Sequence, residues 1–149
     1  MISMFVFTIL ALATTQTLIF TKYTAENSLY EATSLNLGLS IIEQMKSTPY
    51  SDLQDPPLSD GIPYFSMQVD SGNEVDLSLG VNNDLSVPIV TEAGGNQTKM
   101  LPITVNPTVT PMTDGDGLWF EVRYSYDHPR SGVARNRVVR SATTNIRDI

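Results

Sequence analysis

The chain lacks cysteine altogether and contains a single histidine, His128, among its 149 residues. Without cysteine it has no disulfide, no thiolate metal ligand and no cysteine nucleophile. A lone histidine excludes a metal site built from two imidazoles, and His128, followed by Pro129, is predicted to be a turn residue. The sequence has no nucleophile-elbow serine and no phosphate-cradling loop. It therefore predicts no enzyme.

The N-terminal stretch lacks both charge and proline. No charged residue occurs before Lys22 and no proline before Pro49. About 21 helical residues at about 1.5 Å each span roughly 30 Å, the thickness of a bilayer core. The hydroxyls among residues 14–17 interrupt this run, and they are expected to bond to helix carbonyls or to neighbouring helices. We predict one long helix over about residues 1–47, with residues 1–21 as its hydrophobic half.

The second half of this helix, residues 22–47, is amphipathic, with apolar residues at spacings of three and four. This main stripe consists of Ala25, Leu29, Ala32, Leu35, Leu39, Ile42 and Met45. We predict that it packs on a sheet through Leu29, Leu35, Leu39, Ile42 and Met45. A second, partial stripe of Tyr30, Leu37 and Ile41 indicates a second partner. Gly38 costs about 1 kcal/mol relative to alanine, and it either allows close approach of another backbone or is a tolerated defect.

Three other interpretations of the N-terminal run stay open. It resembles a signal peptide with a small-residue cleavage site at Ala11 to Ala13, although no basic segment precedes it and the helix continues past it. A plain single-span anchor is the second interpretation. A buried core helix is the third, and the chain is small for covering one.

Residues 48–149 are predicted to form a β-sheet head. Alternation with a period of two predicts a hairpin of Tyr64–Asp70 with Glu74–Val81. Residues 48–63 and 82–98 are predicted to be loops because they are rich in turn residues. Residues 99–112 alternate but contain three prolines, which predicts an edge strand or an extended loop.

The last hairpin carries the strongest strand pattern. It is predicted to pair Leu118–Tyr126 with Val133–Ile146, joined by a turn at residues 127–132. The residues predicted to share one face of the first strand are Phe120, Val122, Tyr124 and Tyr126. Those expected to point inward from the second are Val138, Ala142 and Ile146.

Charge is unevenly distributed. The net charge is −7 and the isoelectric point about 4.4, which argues against a general nucleic-acid binder. Lys99 is the only base between Ser47 and Glu121, whereas the last twenty residues are rich in arginine. Two interpretations follow: the basic strand of one copy faces the acidic loops of the next, or both are solvated surfaces.

Two loop motifs carry candidate chemistry. Asp114 and Asp116, spaced by glycines, are a weak Ca²⁺ candidate, since calcium takes six to eight oxygen ligands and no full loop motif is present. The alternative is a tight turn, and no other cofactor is predicted. Asn96 begins an Asn-Gln-Thr sequon and is a possible glycosylation site.

The N-terminal run MISMFVFTILALA resembles the stretch that follows the phenylalanine-led motif of type IV pilins and type II secretion pseudopilins. Leu37–Tyr50 is similar to the segment that closes the long helix in that family. The matching positions there are Glu43, Gln44, Met45, Lys46, Pro49 and Tyr50. The C-terminal hairpin also looks like the one that closes many pilin-like heads. The resemblance carried by the helix covers about the first third of the chain.

Departures from the family pattern qualify this resemblance. The leader, the processing glycine and the assembly glutamate of the family would lie upstream of Met1, so we expect the native chain to begin before that residue. The family's helix-breaking proline is absent, with Gln16 in its region, and residues 14–17 are expected to loosen the helix instead. The disulfide loop of many pilins is also absent.

The resemblance implies an α+β, pilin-like fold and a structural subunit of a type IV pilus-like filament. The expected partners are copies of the chain, the bacterial inner membrane before assembly, and the pilus or secretion assembly machinery, with no nucleic acid. The expected location is the inner membrane and then an extracellular filament. The residues expected in the filament core are Met1, Phe5, Phe7, Ile9, Leu10, Leu12, Leu18, Ile19 and Phe20. Alternatives are a minor pseudopilin of a type II secretion system and a membrane-anchored β-domain for binding or adhesion.

Overall fold

Helix α1 opens the computed structural model, which describes residues 2–48, 64–70, 73–91, 98–113, 117–128 and 131–144. It runs from Ile2 to Ser47 over 46 residues, so the predicted long helix is confirmed. At its end, Thr48 N donates to the carbonyl oxygens of Gln44 and Met45 at 3.2 Å. The helix stays regular through residues 14–17, so the expectation that it loosens there is wrong.

Six strands follow the helix and pair antiparallel in two sheets. They are β1 Tyr64–Asp70, β2 Asn73–Ser78, β3 Asn83–Thr91, β4 Thr98–Pro111, β5 Gly117–Asp127 and β6 Ala134–Thr144. Strands β1 and β2 form a two-stranded sheet, and the other four form a sheet in the order β3-β4-β5-β6. The predicted α+β arrangement of a long helix and an antiparallel sheet is therefore confirmed. The predicted loop over residues 48–63 lies outside the described residues, apart from Thr48.

The first hairpin pairs as predicted, with Phe65 opposite Leu77 and Met67 opposite Val75. Strand β2 ends at Ser78, three residues before the predicted end. The chain turns there at Gly80, whose φ of 77° lies in the left-handed region that glycine adopts at no steric cost.

Strand β3 corrects the prediction that residues 82–98 are a loop. Leu85, Val87 and Ile89 are half-buried and pack against the core, which is the period-two signal of a strand. Pro88 is exposed on this edge strand and stands opposite Met100, just before a register shift. Its missing N–H faces the open edge, where no partner strand needs it.

Strand β4 corrects the prediction of an edge strand or loop, because it lies between β3 and β5. Its two neighbours overlap it only partly: β3 pairs with residues 98–105 and β5 with residues 103–111. In an antiparallel ladder, successive residues direct their N–H groups to alternate sides. The backbone nitrogen of Pro102 therefore faces the β5 side, at a position before the pairing of β4 with β5 begins. The nitrogens of Pro107 and Pro111 face the β3 side, at positions after the pairing of β4 with β3 has ended.

The core lies between α1 and the inner face of the four-stranded sheet. Strand β5 alternates as predicted, with Phe120, Val122, Tyr124 and Tyr126 buried and Trp119 exposed on the outer face. Full burial of a large apolar side chain contributes about 1.5–3 kcal/mol, so this strand is a major source of head stability, together with the buried side chains of α1.

The inward positions predicted for β6 are wrong by one residue. Val138 stands opposite the outward Arg123 and is exposed, whereas Val139 stands opposite the buried Val122. Because side chains alternate faces, a shift of one residue exchanges the two faces. Ala142 lies opposite Trp119 and is outward as well, and Ile146 lies outside the described residues.

The sheet-facing side of α1 also differs from the prediction. Leu29, Leu35 and Leu39 are exposed, while Ile42 and Met45 are buried. The buried face of the helix consists of Tyr30, Ser34, Leu37, Gly38, Ile41, Ile42 and Met45. The predicted stripe failed because its spacings average below 3.6 residues per turn, so that over residues 25–45 it rotates by roughly 160° around the helix. The partial stripe was the one that meets the sheet.

Gly38 lies where the helix approaches the sheet most closely. A Cβ atom there would sit 3.1 Å from Tyr124 Cε1 and 3.3 Å from Val139 Cγ2. The close approach is thus made by side chains of β5 and β6 rather than by another backbone. This explains a glycine in a helix interior that would otherwise lose about 1 kcal/mol relative to alanine.

Polar contacts hold the helix on both sides of this face. Glu31 Oε1 accepts from Arg137 Nη2 of β6 at 2.9 Å, and Glu26 Oε1 accepts from Lys99 Nζ of β4 at 3.4 Å. Lys99 Nζ also lies 5.2 Å from the ring centre of Tyr30, and that ring packs edge-on against Tyr126 at 6.4 Å. The two ion pairs are partly exposed and each contributes little free energy, whereas the contact between Tyr30 and Tyr126 is buried. Together these contacts fix the rotation of the helix.

Candidate functional site

The candidate site is the half of α1 that extends beyond the head, which we call the uncovered half and define as residues 4–25. Every residue in it is exposed. Phe7 exposes 73% of its surface and Phe20 exposes 68%. Soluble proteins rarely leave a contiguous apolar surface of this size open, and such a surface marks contact with a membrane or with other proteins.

The hydroxyls in the uncovered half are satisfied within the helix. Thr15 and Thr17 donate to carbonyl oxygens four residues earlier at 2.8 and 2.9 Å. Thr8, Thr21 and Thr24 do the same at 2.8, 2.8 and 3.0 Å. A hydroxyl that bonds back to its own helix costs little to place in an apolar environment. Thr14, Thr15 and Thr17 therefore do not break the helix, and their hydroxyls are satisfied within it.

The length of the uncovered half suits a bilayer. Within Met4–Ser47 one stretch is long and apolar enough to cross a membrane, and none of that stretch is buried against the rest of the chain. About 20 helical residues span about 30 Å, which is the thickness of the hydrocarbon core. A buried core helix is thus not the arrangement in this structure, and a helix that could span a membrane is.

The residues predicted for a filament core lie on the uncovered half. Phe5, Phe7, Ile9, Leu10, Leu12, Leu18, Ile19 and Phe20 are all exposed there, whereas Met1 lies outside the described residues. They occur on every side of the helix rather than in one stripe. A helix that is apolar all round is suited to being surrounded, either by lipid or by other helices.

A second surface continues beyond the uncovered half, and we call it the leucine stripe. It consists of Leu29, Leu35 and Leu39, with Ala32 between the first two and Ala25 one turn before Leu29, and it lies on the side of α1 away from the sheet. Leu35 exposes 43% of its surface. The sequence predicted two apolar faces with two partners, but it assigned this face to the sheet. The structure leaves the face without an intramolecular partner among the described residues.

The predicted calcium and glycosylation sites fall on loops outside the described residues. Asp114, Asp116 and Asn96 lie outside the described residues. Within the ranges that the structure describes, no group of three or more potential metal-ligating side chains occurs. His128 lies in a turn, where its Nδ1 accepts from Ser131 N at 3.3 Å and its carbonyl oxygen accepts from Gly132 N at 2.9 Å.

The uncovered half and the leucine stripe therefore adjoin along one helix and both stay exposed, with Lys22 as the one charged side chain in residues 4–25. Sequence periodicity located both parts, but it missed the contacts of Glu26 and Glu31 that fix the helix rotation, because their partners are distant in the chain. No family model, no curated protein and no solved structure matches the chain.

Proposed function

We propose that this chain is a structural subunit of a type IV pilus-like extracellular filament, which polymerises through its N-terminal helix. The observation that supports the proposal is the uncovered half of α1, which carries large apolar side chains and buries none of them against its own head. The N-terminal residue pattern, similar to that of pilins and pseudopilins, supplies the class of assembly.

The leucine stripe favours a polymer over a simple anchor. If the uncovered half fills the bilayer up to about residue 21, Leu29 lies about 12 Å beyond the hydrocarbon core and Leu39 about 27 Å beyond it. Lipid does not cover leucines at that height. Neighbouring helices of other copies would cover both the stripe and the uncovered half along one continuous line.

Assembly then exchanges lipid contacts for helix contacts. Between helices in a membrane, packing and hydrogen bonding replace the hydrophobic effect as the driving terms. Copies in one membrane share one orientation, so a staggered contact between different patches repeats without closing and makes a helical fibre. Subunits would wait in the inner membrane and be extracted by an assembly machinery, with their heads outward in the finished fibre.

The N-terminus of the native protein tests this proposal. Intact mass and N-terminal peptide mass spectrometry should find an N-methylated phenylalanine several residues before Met1, together with the glutamate that pairs neighbouring subunits in the family. A native start at Met1, or cleavage after Ala13, would contradict the processed filament subunit and favour an anchored or secreted β-domain. The abundance of the chain in sheared filaments separates a bulk subunit from a minor pseudopilin.

A further inference from the structure

The sheet face that points away from α1 carries an ordered set of side chains, which we call the outer face. Its members follow from the register, because residues opposite one another share a face. On β5 they are Trp119, Glu121, Arg123 and Ser125, flanked on β4 by Thr110, Thr108, Asn106 and Thr104 and on β6 by Ala142, Arg140, Val138 and Asn136. Helix α1 does not cover this face, and the filament proposal does not use it.

Two arginines on the outer face are held by one carboxylate. Arg123 Nε donates to Glu121 Oε1 and Arg140 Nε to Glu121 Oε2, each at 2.5 Å. These bonds hold the pKa of the Glu121 carboxyl below its usual value, with Arg140 the larger cause. The arginine side chains are 67% and 65% exposed. Because a guanidinium has five N–H donors in a planar fork, each arginine keeps its terminal nitrogens for a second anion.

The only tryptophan of the chain lies beside this cluster. Trp119 is half exposed and stands two residues before Glu121 on the same face, about 6.8 Å away along the strand. Its partner on β6 is Ala142, whose side chain is too small to cover the indole ring. An open aromatic face offers a stacking surface of the kind that pyranose rings and bases use.

On the other side of the arginines lies a concavity of about 320 Å³, whose wall is part polar and part apolar, with Val138 and Tyr124 among its lining residues. That volume is at the lower end of the roughly 300–1,000 Å³ found for ligand sites. Its outward-facing lining includes Asn82, Asn106, Asn136, Thr104 and Ser125 beside Arg123. Amides and hydroxyls both donate and accept, so this wall suits a ligand that is rich in hydroxyl groups.

We propose that the outer face binds an acidic polysaccharide. Trp119 stacks on one sugar ring, Arg123 and Arg140 together bind the carboxylate of a uronate unit, and the amides bond the hydroxyls of the next unit. Four residues along β5 separate Trp119 from Arg123, a distance of about 13.6 Å, which a short oligosaccharide can span. The surface is therefore long enough for a chain of sugars rather than a single ring.

Charge complementarity decides the class of partner. The chain carries a net charge of −7, but the cluster places two arginines against one acid, so an anion is attracted at this spot. Asp84 accepts from the hydroxyl of Thr104, a residue of the concavity wall, at 2.6 Å, which places an acid next to the concavity. It repels a second anionic group there. A polysaccharide with spaced carboxylates fits this pattern, whereas a nucleic acid, charged at every unit, does not.

Titration of the full chain with uronate tetrasaccharides tests the proposal. The probes are oligomers of galacturonate, alginate and hyaluronan, and the chain is held in a polyoxyethylene detergent so that no sugar head group competes. Because Trp119 is the only tryptophan, its fluorescence reports on this face alone. We expect at least one probe to change that fluorescence with saturation, and affinity to fall as salt is added.

A matched pair of variants separates the site from general charge. Arg123→Gln should weaken binding by roughly tenfold, the effect of losing one charge-assisted contact of about 1.4 kcal/mol. Arg135→Gln removes the same charge from β6, but it lies on the face of Tyr126, so it should change affinity less than about twofold. Circular dichroism confirms that both variants fold.

Four results would overturn the proposal. The first is that no uronate probe binds. The second is that Arg135→Gln weakens binding as much as Arg123→Gln, which indicates unspecific attraction. The third is that fully methyl-esterified galacturonate tetrasaccharide binds as well as the acid. The fourth is that a thymidine octanucleotide binds more tightly than every uronate at equal salt. None of these outcomes depends on filament assembly.

Discussion

The two halves of helix α1 share one continuous backbone but have opposite surroundings. Between residues 26 and 47 the helix places Tyr30, Ile41 and Met45 in the core of the head. Between residues 4 and 25 the same helix exposes every side chain. Helical propensity does not distinguish the halves. They differ in whether the chain provides its own covering surface.

This contrast shows which part of α1 packs against the head and which part the described head residues leave exposed. The covered half has one face that matches the sheet, with Gly38 making room for Tyr124. The uncovered half is apolar all round, so no single sheet can cover it. The leucine stripe joins the two, because it lies on the covered half but faces away from the head. Mutations should therefore fall into two classes, those that change head stability and those that change association.

The largest expected effect is the difference in head stability between two isoleucine substitutions, one in each half of the helix. Ile41→Ala removes a fully buried side chain and should lower the free energy of unfolding of the head by about 2–5 kcal/mol. Ile19→Ala makes the same change in the uncovered half and should lower it by less than about 0.5 kcal/mol. Denaturant unfolding of the full chain in detergent, followed by near-ultraviolet circular dichroism of the buried tyrosines, measures both. Equal losses would contradict the division.

A smaller effect is expected from adding a side chain at Gly38, where the helix lies closest to the sheet. Gly38→Leu forces a side chain against Tyr124 and Val139, whose atoms already lie 3.1 and 3.3 Å from the position of a Cβ atom, and should lower stability by about 1–3 kcal/mol. Ala32→Leu adds a leucine on the exposed side and should change stability by about 0.5 kcal/mol or less. The same unfolding measurement applies. A neutral Gly38→Leu would show that the helix does not pack closely there.

The ion pair of the covered half should contribute less again. Glu31→Gln removes the partner of Arg137, and both side chains are about half exposed, so the loss should be about 0.2–1 kcal/mol. The loss should shrink as sodium chloride is raised, because salt screens exposed charges. Glu43→Gln, an exposed acid on the same helix, is the control and should have less effect. A loss that is independent of salt would point to packing rather than charge.

Acid should act on the head and leave the uncovered half unchanged. Residues 4–21 contain no titratable side chain. In the head, the two arginines lower the pKa of the Glu121 carboxyl. A lowered pKa contributes stability that is present above the usual glutamate pKa of about 4.3 and is lost as the pH falls through the folded value. Glu121→Gln should therefore remove a small part of the acid-induced destabilisation that sets in as the pH falls below about 4.3, measured by thermal unfolding.

The comparison also shows which features the sequence could predict. The absence of charge and proline was sufficient to predict α1, and the alternation from Leu118 to Tyr126 was sufficient to predict β5. The prediction for strand β4 was wrong because its prolines fall where β4 has no hydrogen-bonding partner on one side. That is seen only once its partial overlap with β3 and β5 is known. The face of α1 was misjudged because a stripe that drifts around the helix looks regular in the sequence.

Register accounts for the remaining errors. Whether Val138 or Val139 points inward depends on the pairing with β5, which local composition does not determine. For the candidate site, the apolar residues of the uncovered half were evident from composition alone. The exposure of the leucine stripe was not, because it depends on which helix face the sheet covers.

The most direct test of the account is disulfide cross-linking between copies in native membranes and filaments. These 149 residues contain no cysteine, so the two introduced cysteines are the only thiols among them. Leu10→Cys is combined in turn with a second cysteine at residue 12, 15 or 19, each on roughly the opposite side of the helix, and a disulfide forms only where Cα atoms approach within about 7 Å. The same variants diluted in detergent are the control and should remain monomeric.

We expect at least one spacing to give a ladder of dimers, trimers and longer multimers on oxidation. A ladder requires each helix to contact a neighbour on two different sides, which is the non-closing contact of a fibre. Monomers at every spacing, or dimers that never extend, would contradict the claim that copies of the chain cover the uncovered half.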